Sequence, residues 1–102
     1  MVNLMQNDWA SQSESDDNAV ILDVRTQEEV DEGKIPNSLH IDIYKGPEFM
    51  DKINQLDKSK NYYVYCRAGS RSAQACTVMN QLGFENTYNL VGGISQWTGA
   101  IE

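Results

Sequence analysis

The sequence predicts an α/β fold: a central parallel sheet of four to five strands with helices on both faces. Three observations predict it. The short runs Ala19 to Val24 and Tyr62 to Cys66 are apolar, aromatic and β-branched, as buried strands are. Helix-period stretches that open on capping residues or Pro and stop near Gly lie between such runs. Strand and helix alternate along the chain, an order satisfied by a parallel sheet covered on both sides.

The elements follow in order. Residues 3 to 12 predict a short helix with Leu4, Met5 and Trp9 inward, and Ser11 to Asn18 reads as a polar loop. Residues 1–18 are therefore taken as an N-terminal helix/loop extension to a domain spanning 19–102. Ala19 to Val24 is the first central strand. Thr26-Gln-Glu-Glu29 is a capping-box pattern that starts a short helix, and Gly33 ends it. Ser38 to Ile43 alternates like a strand. Gly46-Pro47 opens a helix running through Leu56, with Pro at its first position. Tyr62 to Cys66 is the second central strand, Arg71 to Leu82 a helix stopped by Gly83, and Asn86 to Leu90 a short strand. Gly92-Gly93 leads into a last helical turn around Trp97, whose ring is expected to fill the core beneath it.

Composition narrows the function. At 102 residues the chain has the length of one domain. Fifteen acidic residues against eight basic ones give a net charge of −7, which disfavours nucleic acid and anionic membranes as partners. The excess is concentrated: residues 1–32 carry nine acids and one base, Arg25. No apolar run approaches the ~20 residues that span a bilayer. The first residues lack the basic and apolar regions of a secretory signal, so a cytoplasmic location is expected. Two cysteines, Cys66 and Cys76, and one histidine, His40, are too few for a structural zinc site, and no metal or cofactor is expected. His40 sits within a predicted strand and is read as a satisfied sheet residue. A reactive cysteine here must be activated by something other than imidazole.

The segment Cys66-Arg67-Ala68-Gly69-Ser70-Arg71-Ser72 carries the chemistry. A strand delivers Cys66 to the carboxyl edge of the sheet, where open α/β folds place their sites. The linking residues are short or polar, with one Gly to permit a positive φ, so the loop amides of Arg67, Ala68, Gly69, Ser70 and Arg71 are free to converge on the sulfur. Arg67 and Arg71 add positive charge. Electropositive surroundings lower a thiol pKa from ~8.5 to roughly 3.5–7.5. Cys76 shares a helix face with Ser72 and Met79 and is read as core packing, with a resolving thiol as the other reading. Asp23, at a strand's carboxyl edge, is placed at the border of this site, with a structural role in accepting turn amides. Arg25 is expected to pair with Glu29 four residues on.

These residues carry a resemblance. The chain resembles single-domain rhodaneses (thiosulfate sulfurtransferase-like domains) in Ile21-Leu-Asp-Val-Arg25, Glu29 to Gly33 with Ile35-Pro36, Cys66 to Ser72, Gly83-Phe84, and Asn89-Leu-Val-Gly-Gly-Ile94 with Trp97, in family order. It departs where Lys34 replaces the usual histidine before Ile-Pro. The short region before Ala19 implies a missing or irregular edge strand. The resemblance implies a rhodanese-type sulfurtransferase that moves a sulfane sulfur from thiosulfate, or a similar small-molecule donor, to a thiol, cyanide or thioredoxin-like acceptor. Cys66 would carry the sulfur as a persulfide, with loop residues 67–71 binding persulfide and substrate. Arg67 would orient the anionic donor, and Arg71 would share that task or instead tie the loop to a nearby carboxylate. The six residues from Cys66 to Arg71 suit a single sulfur. One more would suit the tetrahedral anions of related phosphatases and arsenate reductases. The acidic N-terminal third motivates the alternative, a non-catalytic rhodanese-like protein-interaction or stress-signalling module.

Overall fold

The sheet order is β1-β5-β4-β2-β3, every neighbouring pair parallel, in a computed structural model that describes residues 1–102. The strands are β1 (Val2–Leu4), β2 (Ala19–Asp23), β3 (Leu39–His40), β4 (Asn61–Tyr65) and β5 (Asn86–Leu90). The helices are α1 (Gln6–Glu14), α2 (Gln27–Asp31), α3 (Pro47–Asn54) and α4 (Ser70–Gln81), with 3-10 turns at Ile43–Lys45 and Ile94–Gln96.

The centre of the sheet explains the two cores. Successive side chains of a strand point to opposite faces. Along β4, Tyr62, Val64 and then Cys66 enter one core with Leu22, Ile53, Cys76 and Met79, beneath α3 and α4. Tyr63 and Tyr65 enter the other with Trp9, Ile35 and Leu90, on the α1 side. Trp9 is wholly buried and meets Tyr63, Tyr65 and Trp97 edge-on, at centroid distances of 5.9, 6.1 and 5.6 Å. Such a ring is worth about 2–3 kcal/mol of burial. Trp97 is partly buried and packs against the edge of this core through Trp9.

The N-terminus departs from its expected form. Val2, Asn3 and Leu4 form β1, in register with Tyr88, Asn89 and Leu90. Only Trp9 of the three expected inward residues is fully buried; Met5 is the exposed residue just before α1. Three residues are too few to reveal a period of two, and what makes them a strand is the open edge of β5. The expected gap at the edge is therefore filled: β2 lies between β4 and β3, and β1 and β3 are the outer strands.

Three boundaries also shift. Of Ser38 to Ile43 only Leu39–His40 is strand, because the Asp42 carboxylate accepts the Tyr44 amide at 2.8 Å and caps a 3-10 turn. Helix α3 stops at Asn54, two residues before Leu56, and α4 begins at Ser70, one residue before Arg71. The capping box of α2 forms as read: Thr26 Oγ1 accepts the Glu29 amide while the Glu29 carboxylate accepts the Thr26 amide, both at 3.3 Å.

Candidate active site

Strand β4 ends at Tyr65, and the next residue, Cys66, is 1% exposed at the carboxyl edge of the sheet. Gly69, at φ +112°, turns the chain into α4 and directs its amide at the sulfur, with N to Sγ 3.1 Å. Ser72 Oγ lies 3.3 Å from the same sulfur. Burial pushes the Cys66 thiol pKa up, but the Ser72 hydroxyl and the amides of Ser72, Gly69 and Ala68 outweigh it, so the thiol sits below its ordinary value. No imidazole takes part: His40 Nε2 is 2.6 Å from the Arg25 carbonyl oxygen.

The loop is braced from three sides. The Ile94 amide donates to the Cys66 carbonyl at 3.0 Å and the Ser95 amide to the Arg67 carbonyl at 2.9 Å. Gly93 permits this approach, since a Cβ there would stand 2.6 Å from the Cys66 carbonyl oxygen and closer still to that of Arg67. From below, Asn89 of β5 donates its Nδ2 to the Gly69 carbonyl at 3.3 Å and contacts Ser72 Oγ through Oδ1. From the side, Arg71 makes two hydrogen bonds to the Glu29 carboxylate, at 2.6 and 2.9 Å. Its guanidinium also lies over the Tyr44 ring, 5.4 Å from the centroid. The Arg71 hydrogen bond, against a smaller opposing effect of burial, holds the Glu29 carboxyl down to about 2.

The predicted site residues separate into distinct positions. Cys66, Ala68 and Gly69 form the sulfur cradle. Ser70 opens α4, exposed to solvent. Arg67 is exposed and lines a surface cleft of about 270 Å³ with Arg25, Glu29, Glu32, Ile94 and Ser95. Arg71 lies near enough to Cys66 to feel its charge, although its hydrogen bonds go to Glu29. The Asp23 carboxylate is occupied: it accepts the Arg25 amide and side chain, and the Tyr65 hydroxyl at 2.7 Å. Burial, chiefly, takes the Tyr65 hydroxyl up to about 12.

The expected Arg25–Glu29 ion pair does not form. Arg25 pairs with Asp23 at 2.8 Å and reaches only the main-chain carbonyl of Glu29, because the Glu29 carboxylate is claimed by Arg71. Cys76 is fully buried, and burial takes its thiol up to about 11. Sequence reading passed over Ser72 as a sulfur ligand and Asn89; it allowed Arg71 to tie the loop to a nearby carboxylate, and the structure shows that carboxylate to be Glu29. The only local signal was for Ser72, a hydroxyl in the first turn of the helix after the loop. Away from the sulfur, a cleft of about 390 Å³ opens between α1 and residues 97–100 on the Trp9 side of the sheet. No group of three or more His, Cys, Asp or Glu side chains converges to hold a metal ion, and no helix is long and apolar enough to cross a membrane.

The sequence profile of the Rhodanese-like domain family matches residues 6–100. The chain belongs to that family. Among curated proteins it is 36% identical over 98 residues to a "Sulfurtransferase" of Allochromatium vinosum, covering 95% of this chain and 89% of that protein. It is 37% identical over 78 residues to "Thiosulfate sulfurtransferase GlpE" of Coxiella burnetii, covering 76% and 70%. Among solved structures, a rhodanese-related protein from Thermoplasma volcanium superposes with a TM-score of 0.86 at 30% identity, covering 100% of this chain and 98% of that one. The Thermoplasma volcanium structure aligns over the whole of this chain, and both of these curated relatives are named for sulfur transfer.

Proposed function

We propose that the protein is a rhodanese-type sulfurtransferase in which Cys66 carries the sulfur. The observation that supports this most is the sulfur cradle, in which the Gly69 amide of the six-residue loop and the Ser72 hydroxyl in the first turn of α4 face Cys66 Sγ. Such a cradle favours an anionic sulfur without a general base. In the first half-reaction the Cys66 thiolate attacks the outer sulfur of thiosulfate. The bond between the two thiosulfate sulfurs breaks, its electron pair leaves with sulfite, and Cys66 becomes a persulfide anion. In the second, cyanide or a thiolate attacks the terminal sulfur, the S–S bond breaks, and its electrons return to Cys66 as thiolate while thiocyanate or an acceptor persulfide departs. This is covalent catalysis in two transfers. Arg67, exposed beside the loop, orients the anionic donor, and loop amides hold the persulfide.

Intact-protein mass spectrometry after incubation with thiosulfate tests the reading. One added sulfur is expected on the wild type, lost on cyanide treatment, and none on Cys66→Ala. Wild type that takes up no sulfur, or Cys66→Ala that takes up as much, excludes it.

A further inference from the structure

Ser72 has one hydroxyl proton and three neighbours able to accept it: Cys66 Sγ at 3.3 Å, the Gly69 carbonyl oxygen at 3.1 Å, and Asn89 Oδ1. Gly69 O already receives the Ala73 amide at 3.1 Å and Asn89 Nδ2 at 3.3 Å, which together fill its two lone pairs. The contest is therefore between the sulfur and Asn89. The orientation of the Asn89 amide is fixed, because Nδ2 faces a main-chain carbonyl and, at 3.0 Å, Asn3 Oδ1 of β1. Oδ1 must then face Ser72, which is its one donor. Asn89 is 5% exposed, so water does not readily replace that donor.

We propose that Asn89 is a positioning residue that competes with the Cys66 sulfur for the Ser72 proton, and thereby sets how readily Cys66 becomes an anion. With a neutral sulfur, as thiol or as the inner atom of a persulfide, Ser72 donates to Asn89. With a thiolate, Ser72 turns its proton to the sulfur and leaves Asn89 Oδ1 buried without a donor. Asn89 thus holds Cys66 back from an excessively stable thiolate, which would attack a donor poorly. The proton swings back to sulfur as the thiolate leaves during discharge. This rests on the reading of Cys66 as the sulfur carrier, but the proton competition itself is measurable without any transfer. The other charged or titratable groups acting on the sulfur are Arg71 of α4, with Glu29 of α2 bonded to it, and Cys76 farther along α4. Substitutions at position 89 leave all of them in place.

The experiment is the pH dependence of Cys66 alkylation by iodoacetamide, followed by intact mass. Asn89→Leu, close in shape and without an acceptor, is expected to move the midpoint to lower pH by about one unit. Asn89→Asp, which keeps an oxygen acceptor and adds charge, leaves it in place or moves it up. Ser72→Ala moves it up, and Ser72→Ala with Asn89→Leu behaves as Ser72→Ala alone, because the coupling runs through the hydroxyl. A role confined to bracing the loop would shift both Asn89 variants upward. An unchanged or raised midpoint in Asn89→Leu, a lowered one in Asn89→Asp, or an effect of Asn89→Leu that persists without Ser72 overturns the proposal. Asn89→Ala carries the same sign if Asn89→Leu does not fold. These midpoint shifts in a protein that takes up no sulfur would remove the transferase reading and keep the proton competition.

Discussion

Arg71 grips Glu29 through two hydrogen bonds across 42 residues of sequence, tying the first turn of α4 to the capping box of α2. The contact joins the sulfur loop to the acidic third of the chain, so a carboxylate that caps one helix also braces the loop that opens another.

Glu29→Gln is expected to destabilise the protein by about 1–2 kcal/mol at pH 7, a discount on the full pKa shift because the pair is partly exposed. The wild-type carboxyl titrates at about 2 in the fold against an ordinary 4.5. A lowered carboxyl pKa contributes stability that is fully present above the unfolded value and lost as pH falls through the folded one. The difference between wild type and Glu29→Gln should therefore shrink from about pH 4.5 and vanish near pH 2. Urea midpoints across that range measure it.

Arg25→Ala removes the partner of a carboxylate that is 1% exposed, leaving Asp23 with the Tyr65 hydroxyl and a main-chain amide. Breaking one side of a buried ion pair costs about 3–5 kcal/mol. Chemical denaturation should read a loss of that size, whereas a loss under 1 kcal/mol would mean that the network relaxes onto water.

Gly93→Ala should displace the sulfur loop. The glycine has φ +60°, and an added Cβ meets the carbonyls of Cys66 and Arg67, which are main-chain atoms with no rotamer to change. A cost of about 2–3 kcal/mol is expected, together with Cys66 alkylation moving toward the pH of an ordinary thiol. A folded variant with an unmoved alkylation profile would show that the 93–95 turn does not shape the cradle.

The two thiols should respond differently to iodoacetamide in the native protein. The Cys66 midpoint should lie below that of a free cysteine, because hydrogen bonds to its sulfur outweigh burial. Cys76, fully buried with its thiol up at about 11, should stay unmodified at pH 8 until urea unfolds the chain. Peptide mapping distinguishes the sites, and early labelling of Cys76 would count against its packed position.

What could be read in advance depended on range. Thr26 and Glu29 are three residues apart, and their capping box is a local geometry that four consecutive residues specify. Once the run Tyr62 to Cys66 is read as a strand, the pleat likewise specifies which of its side chains share a face. The length of Val2–Leu4 defeats any such reading, since three residues carry no period and only β5 makes them a strand. The Glu29 carboxylate was equally undecidable. Arg25 lies at helix-pair spacing and Arg71 does not, yet α4 brings Arg71 closer while Asp23 engages Arg25.

By itself the sequence determined the alternating α/β order, the strand end at which Cys66 stands, and a six-residue loop with glycine where the backbone needs a positive φ. These follow from periodicity and from backbone conformations that neighbouring residues enforce. Only the tertiary structure decided which hydroxyl faces the sulfur, which acid binds Arg71, and that Asn89 of β5 reaches beneath the loop. A hydrogen bond needs its partners within about 3 Å, and that proximity arises from packing strands and helices that are distant along the chain.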